Sequence, residues 1–296
     1  MRIAAIDIGS NAARLLINEV THCKNGKPEF TKLNLLRVPL RLGMDVFSFG
    51  EIREEREDMM IRTMKIFSDL MDMYKVEHYQ ACATSAMRDA SNGAEIRQKV
   101  KDTSGISIEI ITGDEEAALI FENQIAETLD ENFGYLYIDV GGGSTELMYF
   151  EKEKMKYKHS FNIGTIRLLK NLVSEEQWSL LKSEIKENIN KKNIIGIGSG
   201  GNINKIASMN KTKEGKTISL NALKKYHHDL SQLTVTERMH HYQLREDRAD
   251  VLVPALEIYT KIMTWADISH ILVPKISVAD GLVHSIYNKL NNKNKV

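Results

Sequence analysis

One pattern of segments occurs twice in this chain, and the repeat narrows the folds open to it more than any other feature. In the first copy an apolar run from Ile3 to Ile8 ends in Asp7-Ile8-Gly9-Ser10-Asn11, which has turn chemistry. Ala13 to Val20 is apolar again, Lys24-Asn25-Gly26-Lys27 reads as a turn, and Phe30 to Leu42 completes a three-stranded meander. A long helix is expected from about Glu51 to Lys75, where Ile52, Met60, Met64, Phe67 and Met71 recur at spacings near three and four. A strand (Tyr79 to Ala83), a helix (Gly93 to Thr103), a strand (Ile106 to Thr112) and a helix opening at Asp114 follow. The second copy begins at Tyr135. Tyr135 to Val140 ends in Gly141-Gly142-Gly143-Ser144, and Thr145 to Phe150 and Met155 to Ile163 read as the next strands. Helices are expected within 165–190, a strand at Ile194 to Ile197 ending in Gly198-Ser199-Gly200-Gly201, and helices over much of 220–263. A short strand (Ile271 to Val273) and a last helix (Val278 to Leu290) close the chain.

A duplicated α/β unit predicts two lobes facing each other across a ligand-binding cleft. The first lobe is placed at residues 1–124, with the C-terminal helix 281–292 a candidate to complete it, and the second at 125–280. Hinges are expected near 124–134 and 275–281. A doubly wound Rossmann domain fits less well, because the first three strands of each copy are joined by short turns rather than helical crossovers.

Composition excludes several classes. At 296 residues the chain has room for two domains and needs no disulfide or metal to hold a core. Lys+Arg and Asp+Glu both number 40, so the basic excess of a nucleic-acid binder is missing. The two cysteines, Cys23 and Cys82, lack zinc-site spacing and read as reduced thiols of a cytoplasmic protein. Asp7 and Arg14 interrupt the apolar N-terminus, which argues against a signal peptide, and no apolar run reaches the length of a membrane span.

The chemistry is concentrated in the glycine turns. Asp7-Ile8-Gly9-Ser10-Asn11 and Asp139-Val140-Gly141-Gly142-Gly143-Ser144-Thr145 each place an aspartate just before a turn whose successive N–H groups can cradle an anion. Ser10, Ser144 and Thr145 can add hydroxyl donors. A carboxylate beside a phosphate is repelled unless a cation bridges them, which points to Mg²⁺ or a similar hard cation. Two such turns at matching places favour phosphate binding over plain hairpins. Glu146, seven residues after Asp139, can share the cation. Glu115 and Glu116 begin a predicted helix after Thr112-Gly113-Asp114; each reads either as charge complementing the helix N-terminus or as a general base for water. Arg88, Arg41 and Arg167 are candidate phosphate clamps, each weak alone. The turn Gly198-Ser199-Gly200-Gly201 reads equally as a phosphate or nucleotide site at a helix N-terminus or as a plain loop. His227-His228 and His240-His241 read as surface pairs and the methionines as core filler.

At these residues the sequence resembles the Ppx/GppA phosphatase family. The resemblance rests on IAAIDIGSNAARLLI (3–17), VPLRLG (38–43), ATSAMRDASNG (83–93), ITGDEEAALIF (111–121), YIDVGGGSTEL (137–147), NIGTIRLL (162–169) and IGIGSGGNI (195–203), in family order over most of the chain. It implies the actin-like ATPase (ribonuclease H-like) duplicated fold. It also implies Mg²⁺-dependent hydrolysis of terminal phosphoanhydride bonds in inorganic polyphosphate or guanosine pentaphosphate. Carried over by position, Glu116 matches the water-activating glutamate, Asp139 and Glu146 the metal-associated carboxylates, and Arg88 a phosphate-facing arginine. Gly141, Gly142, Gly143, Ser144 and the Ser10-Asn11 turn match the phosphate loops. The chain departs from the family at Val278-Ala279-Asp280-Gly281-Leu282-Val283-His284-Ser285, where an Arg-Glu element is absent, and at Asn11-Ala12-Ala13, where hydroxyls are fewer. It also lacks the extra C-terminal helical domains of long members, so a weaker hold on long polyphosphate is expected. Two other readings share the fold, an ATP-using kinase or ATPase and a guanosine-polyphosphate sensor without turnover. A homodimer is a candidate assembly that no residue here specifies.

Overall fold

The structure, a computed structural model, describes residues 1–23, 27–113, 115–116, 118–119, 130, 132–152, 154–189, 193–213, 216–274 and 277–293. The chain divides into two compact units, one made of Met1–Asn123 and Ser277–Val296, the other of Gln124–Ile276. Asp114, most of the expected hinge at 124–134, and residues 275 and 276 of the other lie outside the described residues.

The first unit is built on a five-stranded sheet of β1 (Arg2–Ile8), β2 (Ala13–His22), β3 (Pro28–Val38), β4 (His78–Ala83) and β5 (Ile108–Ile110), in the order β3-β2-β1-β4-β5. β1, β2 and β3 form an antiparallel meander, while β4 and β5 run parallel to β1. Ile3 to Ile8 are all buried, so β1 is covered on both faces. Ala4, Ile6 and Ile8 join a core with Met60, Met64 and Phe67 of α2 (Glu54–Met73) and Ile96 and Val100 of α4 (Gly93–Ser104). The C-terminal helix α12 (Val278–Lys293) packs across β1, β2 and β4.

Two short helices of this unit were not foreseen. α1 (Leu42–Phe49) begins where the third strand was expected to end, because Arg41 turns left-handed at φ 54° and breaks the extended chain. Gly50, at φ 80°, ends it, so α2 starts at Glu54 rather than Glu51. α3 (Ser85–Asp89) is the other.

The second unit repeats the plan. Its six-stranded sheet runs β10-β11-β9-β6-β7-β8, with β6 (Gly134–Val140), β7 (Thr145–Glu151), β8 (Lys154–Phe161), β9 (Ile194–Ser199), β10 (Thr217–Ser219) and β11 (His270–Leu272). Again three antiparallel strands come first and β9 and β11 run parallel to the first of them; β10, which no pattern announced, adds an antiparallel edge. Helices α5 (Thr165–Leu169), α6 (Glu175–Asn188), α7 (Gly201–Met209), α8 (Leu220–Ser231), α9 (Val235–Tyr242), α10 (Glu246–Ala249) and α11 (Leu252–Trp265) complete it. Leu136, Ile138, Leu147 and Tyr149 pack with Leu181, Leu256 and Ile262 in its core. Both units therefore have the mixed-sheet topology of the actin-like duplicated fold. No helix among the described residues is long and apolar enough to cross a membrane.

Candidate active site

In both units the strand ladder delivers an aspartate to the mouth of a four-residue hairpin loop. The β1–β2 ladder ends at Ile8 opposite Ala13 and the β6–β7 ladder at Val140 opposite Thr145, leaving Gly9–Ala12 and Gly141–Ser144 as the loops. Each loop closes the same way. The Gly9 N–H donates to the Ala12 carbonyl at 3.0 Å, and the Gly141 N–H to the Ser144 carbonyl at 2.9 Å.

The remaining loop carbonyls are turned away and used. The Thr165 N–H donates to Gly141 O at 3.0 Å, the Ile166 N–H to Gly142 O at 2.8 Å, and Arg167 Nε to Gly143 O at 2.8 Å. Among the described residues the amides of Gly142, Gly143 and Ser144 donate to no backbone carbonyl. With its acceptors consumed on one side, the loop is a ready anion cradle. Gly164 makes this possible: a Cβ there would lie 2.4 Å from Gly142 O, so only glycine lets the 162–167 segment come this close. In the first unit the Gly43 N–H donates to Ser10 O at 2.9 Å and the Arg41 N–H to Asn11 O at 3.0 Å. Arg41 and Arg167, weak phosphate clamps in the sequence, thus also brace the two loops from behind.

The side chains differ. Asp7 faces Arg14 across the β1–β2 pair and forms an ion pair with it at 2.8 Å. Burial still raises the Asp7 pKa, the dominant influence, against the lowering effect of the Arg14 charge. Ser10, also buried, shares a hydrogen bond of 2.9 Å with Ser85 at the start of α3. That partner could not be read from spacing, although it lies in the ATSAMRDA stretch. In the second unit Asp139 faces not an arginine but Glu146, and both are buried, 7 % and 3 % exposed. Residues so paired have Cα atoms about 4.5–5.5 Å apart. Ser160, opposite Glu146 on β8, donates to Glu146 Oε1 at 2.8 Å and fixes that carboxylate. Only the strand register reveals Ser160.

Thr112 and Glu115 resolve one ambiguity. The Thr112 N–H and hydroxyl donate to Glu115 Oε2 at 2.8 and 3.0 Å, and the Glu115 N–H donates to Thr112 Oγ1 at 3.1 Å. This is a reciprocal capping box, so Glu115 is spent on the helix start. Glu116, half-buried, is the carboxylate of the pair not engaged in it. Arg88 Nη1 donates to the Ile111 carbonyl at 3.2 Å, which ties α3 to the same turn. The Ser10–Ser85 and Arg88–Ile111 hydrogen bonds thus tie the loop after β1 to α3, and α3 to the turn after β5. Gly200, at φ 99°, abuts Asp139; a Cβ there would lie 2.8 Å from Asp139 Oδ1. The C-terminal ends of parallel strands are where open α/β sheets bind ligands.

A divalent cation fits this donor set. Asp139 and Glu146 offer hard carboxylate oxygens at one hairpin mouth. Among the described residues no group of three or more His, Cys, Asp or Glu side chains could cage a metal. Two carboxylates, with water and substrate phosphates completing the shell, is the habit of Mg²⁺ rather than of a structural metal.

Known proteins resemble the chain in sequence and in fold. A family model described as the Ppx/GppA phosphatase family matches residues 19–290. A bifunctional 3-dehydroquinate synthase/phosphatase of Fusobacterium nucleatum is 29% identical over 318 residues, covering 98% of this chain and 47% of that protein. A guanosine-5'-triphosphate,3'-diphosphate pyrophosphatase of Vibrio vulnificus is 30% identical over 176 residues, covering 60% of this chain and 34% of that one. The chain thus spans about half or less of the length of these two curated relatives. The crystal structure of an exopolyphosphatase from Cytophaga hutchinsonii superimposes with a TM-score of 0.81 at 27% identity, covering 99% of this chain and 98% of that one. The chain belongs to the Ppx/GppA phosphatase family.

Proposed function

We propose that the protein hydrolyses terminal phosphoanhydride bonds of inorganic polyphosphate, guanosine pentaphosphate or both. The observation that carries this reading is the buried pair Asp139 and Glu146 at the mouth of a glycine loop whose carbonyls are all turned away. Such a site repels a polyphosphate unless a cation joins the two. Asp139 and Glu146 would hold Mg²⁺, which when bound would supply charge stabilisation to the transferred phosphoryl group. Asp7 enters as the partner of Arg14, which already meets its charge. The Gly142, Gly143 and Ser144 amides and the Ser10-Asn11 turn bind phosphate oxygens, and Arg88 adds a guanidinium. Glu116 orients a water and takes its proton as the oxygen attacks the terminal phosphorus; the shortened phosphate chain leaves.

The test is phosphate release from polyphosphate, guanosine pentaphosphate and ATP, with and without Mg²⁺, for the wild type and Glu116→Gln. Metal-dependent release that falls at least about 100-fold in the variant supports the assignment, since general-base catalysis contributes roughly 10²–10⁴-fold. Measurable binding of guanosine polyphosphate with no release would replace it with a sensor. Release from ATP alone would replace it with an ATPase.

A further inference from the structure

A glycine stands inside α12 where no turn asks for one. Gly281 lies in helical backbone, its N–H donates to the Ser277 carbonyl at 3.1 Å, and its φ is not positive. After proline, glycine is the least favourable residue in a helix interior, so its presence there points to a contact that a side chain would forbid. That contact is with Leu119. A Cβ on Gly281 would overlap the Leu119 carbonyl oxygen and lie 2.7 Å from the carbonyl carbon. Leu119 stands three residues after Glu116, both in helical backbone, and residues three apart are neighbours on a helix surface.

The helix that brings Gly281 here is fastened to the sheet of its own unit. Ser277 caps it, its N–H and hydroxyl donating to Asp280 Oδ2 at 2.9 and 2.6 Å. Asp280 Oδ1 pairs with Lys32 of β3 at 3.4 Å. One turn on, the His284 and Phe30 rings have centroids 4.0 Å apart, and the Tyr287 hydroxyl shares a 3.0 Å hydrogen bond with His22 of β2. Asp280, His284 and Tyr287 recur at spacings of four and three and so form one stripe, which meets β2 and β3. Gly281 sits about 100° around the helix from Asp280 and meets Leu119 instead. The stretch Val278–Ser285, where the chain departs from the family pattern, is therefore the seat of this contact.

We infer that Gly281 is a positioning residue for Glu116: α12, held by β2 and β3, sets its bare backbone against Leu119 and fixes the turn that carries the glutamate. The start of that turn is tied already, since Glu115 closes the box with Thr112 and the Glu116 N–H donates to the Thr112 carbonyl at 3.0 Å. Gly281 braces its other end. With a Cβ at 281 the two backbones must part to ordinary contact, 3.4–4 Å, and Glu116 moves with Leu119. A general base works only within hydrogen-bond reach of its proton, so such a shift is felt in the rate.

The inference rests on Glu116 as the base, and one experiment separates the two. Phosphate release from polyphosphate and guanosine pentaphosphate with Mg²⁺ is measured for Gly281→Ala and His284→Ala, each alone and combined with Glu116→Gln. His284→Ala loosens the seat of α12 without adding an atom. Gly281→Ala is expected to lose kcat about 10- to 100-fold, the scale of a 1 Å misplacement, with KM within about twofold. His284→Ala is expected to lose less, again in kcat. Residues that act as a unit are not additive, so neither change should lower the residual rate of Glu116→Gln by more than about twofold. Amide exchange in the 111–119 segment should quicken in Gly281→Ala while β1 and β4 stay protected. Wild-type rates in Glu116→Gln would overturn the base reading itself. A slow Glu116→Gln beside an unchanged Gly281→Ala would overturn this inference alone. So would a loss that repeats in full without Glu116, or exchange that quickens throughout the unit. Should Gly281→Ala not fold, His284→Ala decides on the same terms.

Discussion

The two hairpin loops share a backbone and differ in charge. In each, an aspartate stands one residue before the end of the first strand, and a four-residue loop closes by the same first-to-last hydrogen bond. In each, N–H groups of the segment around the next helix accept the task of capping the loop carbonyls. The residue opposite the aspartate is where they part: Arg14 in the first unit, Glu146 in the second. The duplicated skeleton thus closes both loops in the same way and, under the proposed function, would present their amides to phosphate. The charge at that one register position sets an ion pair across the first hairpin and a pair of carboxylates across the second.

Exchanging that position between the units tests this most severely. Glu146→Arg gives the second loop the first loop's arrangement, and Mn²⁺ binding is expected to vanish with phosphate release down by at least about 100-fold, as loss of several kcal/mol of metal stabilisation implies. Arg14→Glu does the reverse. It leaves two buried carboxylates facing each other, and breaking a buried pair in this way costs about 3–5 kcal/mol. Chemical denaturation in EDTA should show that loss, and Mg²⁺ should restore part of it if the backbone alone makes a cation site. Full wild-type stability for Arg14→Glu in EDTA would remove Arg14 as the group that meets the Asp7 charge.

A second contrast concerns how tightly each loop is packed. A Cβ on Gly164 would meet Gly142 O at 2.4 Å and both neighbouring carbonyl carbons at 2.5 Å, all backbone. A Cβ on Gly9 would meet Ala12 O at 3.5 Å, an ordinary contact. Gly164→Ala is therefore expected to destabilise by about 1–3 kcal/mol, the usual range for overpacking, and to raise KM as the cradle shifts. Gly9→Ala should change thermal stability by less than about 0.5 kcal/mol, as substitutions away from strained features do. Equal effects would mean that the two loops are held by the same packing.

Sequence made the repeat visible because turns, glycines and apolar runs are local signals. Both aspartates, both loops and the α2 stripe of Met60, Met64, Phe67 and Met71 follow from residues within a few positions of one another. Partners separated by a whole strand or more were invisible. Ser160 reaches Glu146 only through the β7–β8 register, and Ser85 reaches Ser10 across 75 residues. The α1 helix was hidden by the positive φ of Arg41, a conformation its residue type does not announce. One ambiguity had a local answer: Thr112 with Glu115 three positions on is a capping-box spacing, and it separates Glu115 from Glu116.

The smallest contrast lies beside the two aspartates on their other flank. Cys82 of β4 stands next to Asp7, and Ser199 of β9 stands next to Asp139. Burial, then the charges of Glu109 and Asp7, push the Cys82 thiol up to about 12. A thiol held above its unfolded pKa stabilises the fold fully below that unfolded value, and the contribution is lost as pH rises toward about 12. Between pH 7 and 8 Cys82 is therefore a neutral, buried group, while Cys23 is exposed. Titration with a disulfide reagent at pH 8 is expected to find one reactive thiol in the native protein and two after denaturation. Cys82→Ser copies the second unit's residue into the first. It should leave Mn²⁺ affinity unchanged, because Arg14 and not the strand behind it meets the Asp7 charge, and it should steepen no alkaline loss of stability. Native reactivity of both thiols would mean that the end of β4 opens on the timescale of the reagent, and that the first aspartate is less firmly enclosed than the second.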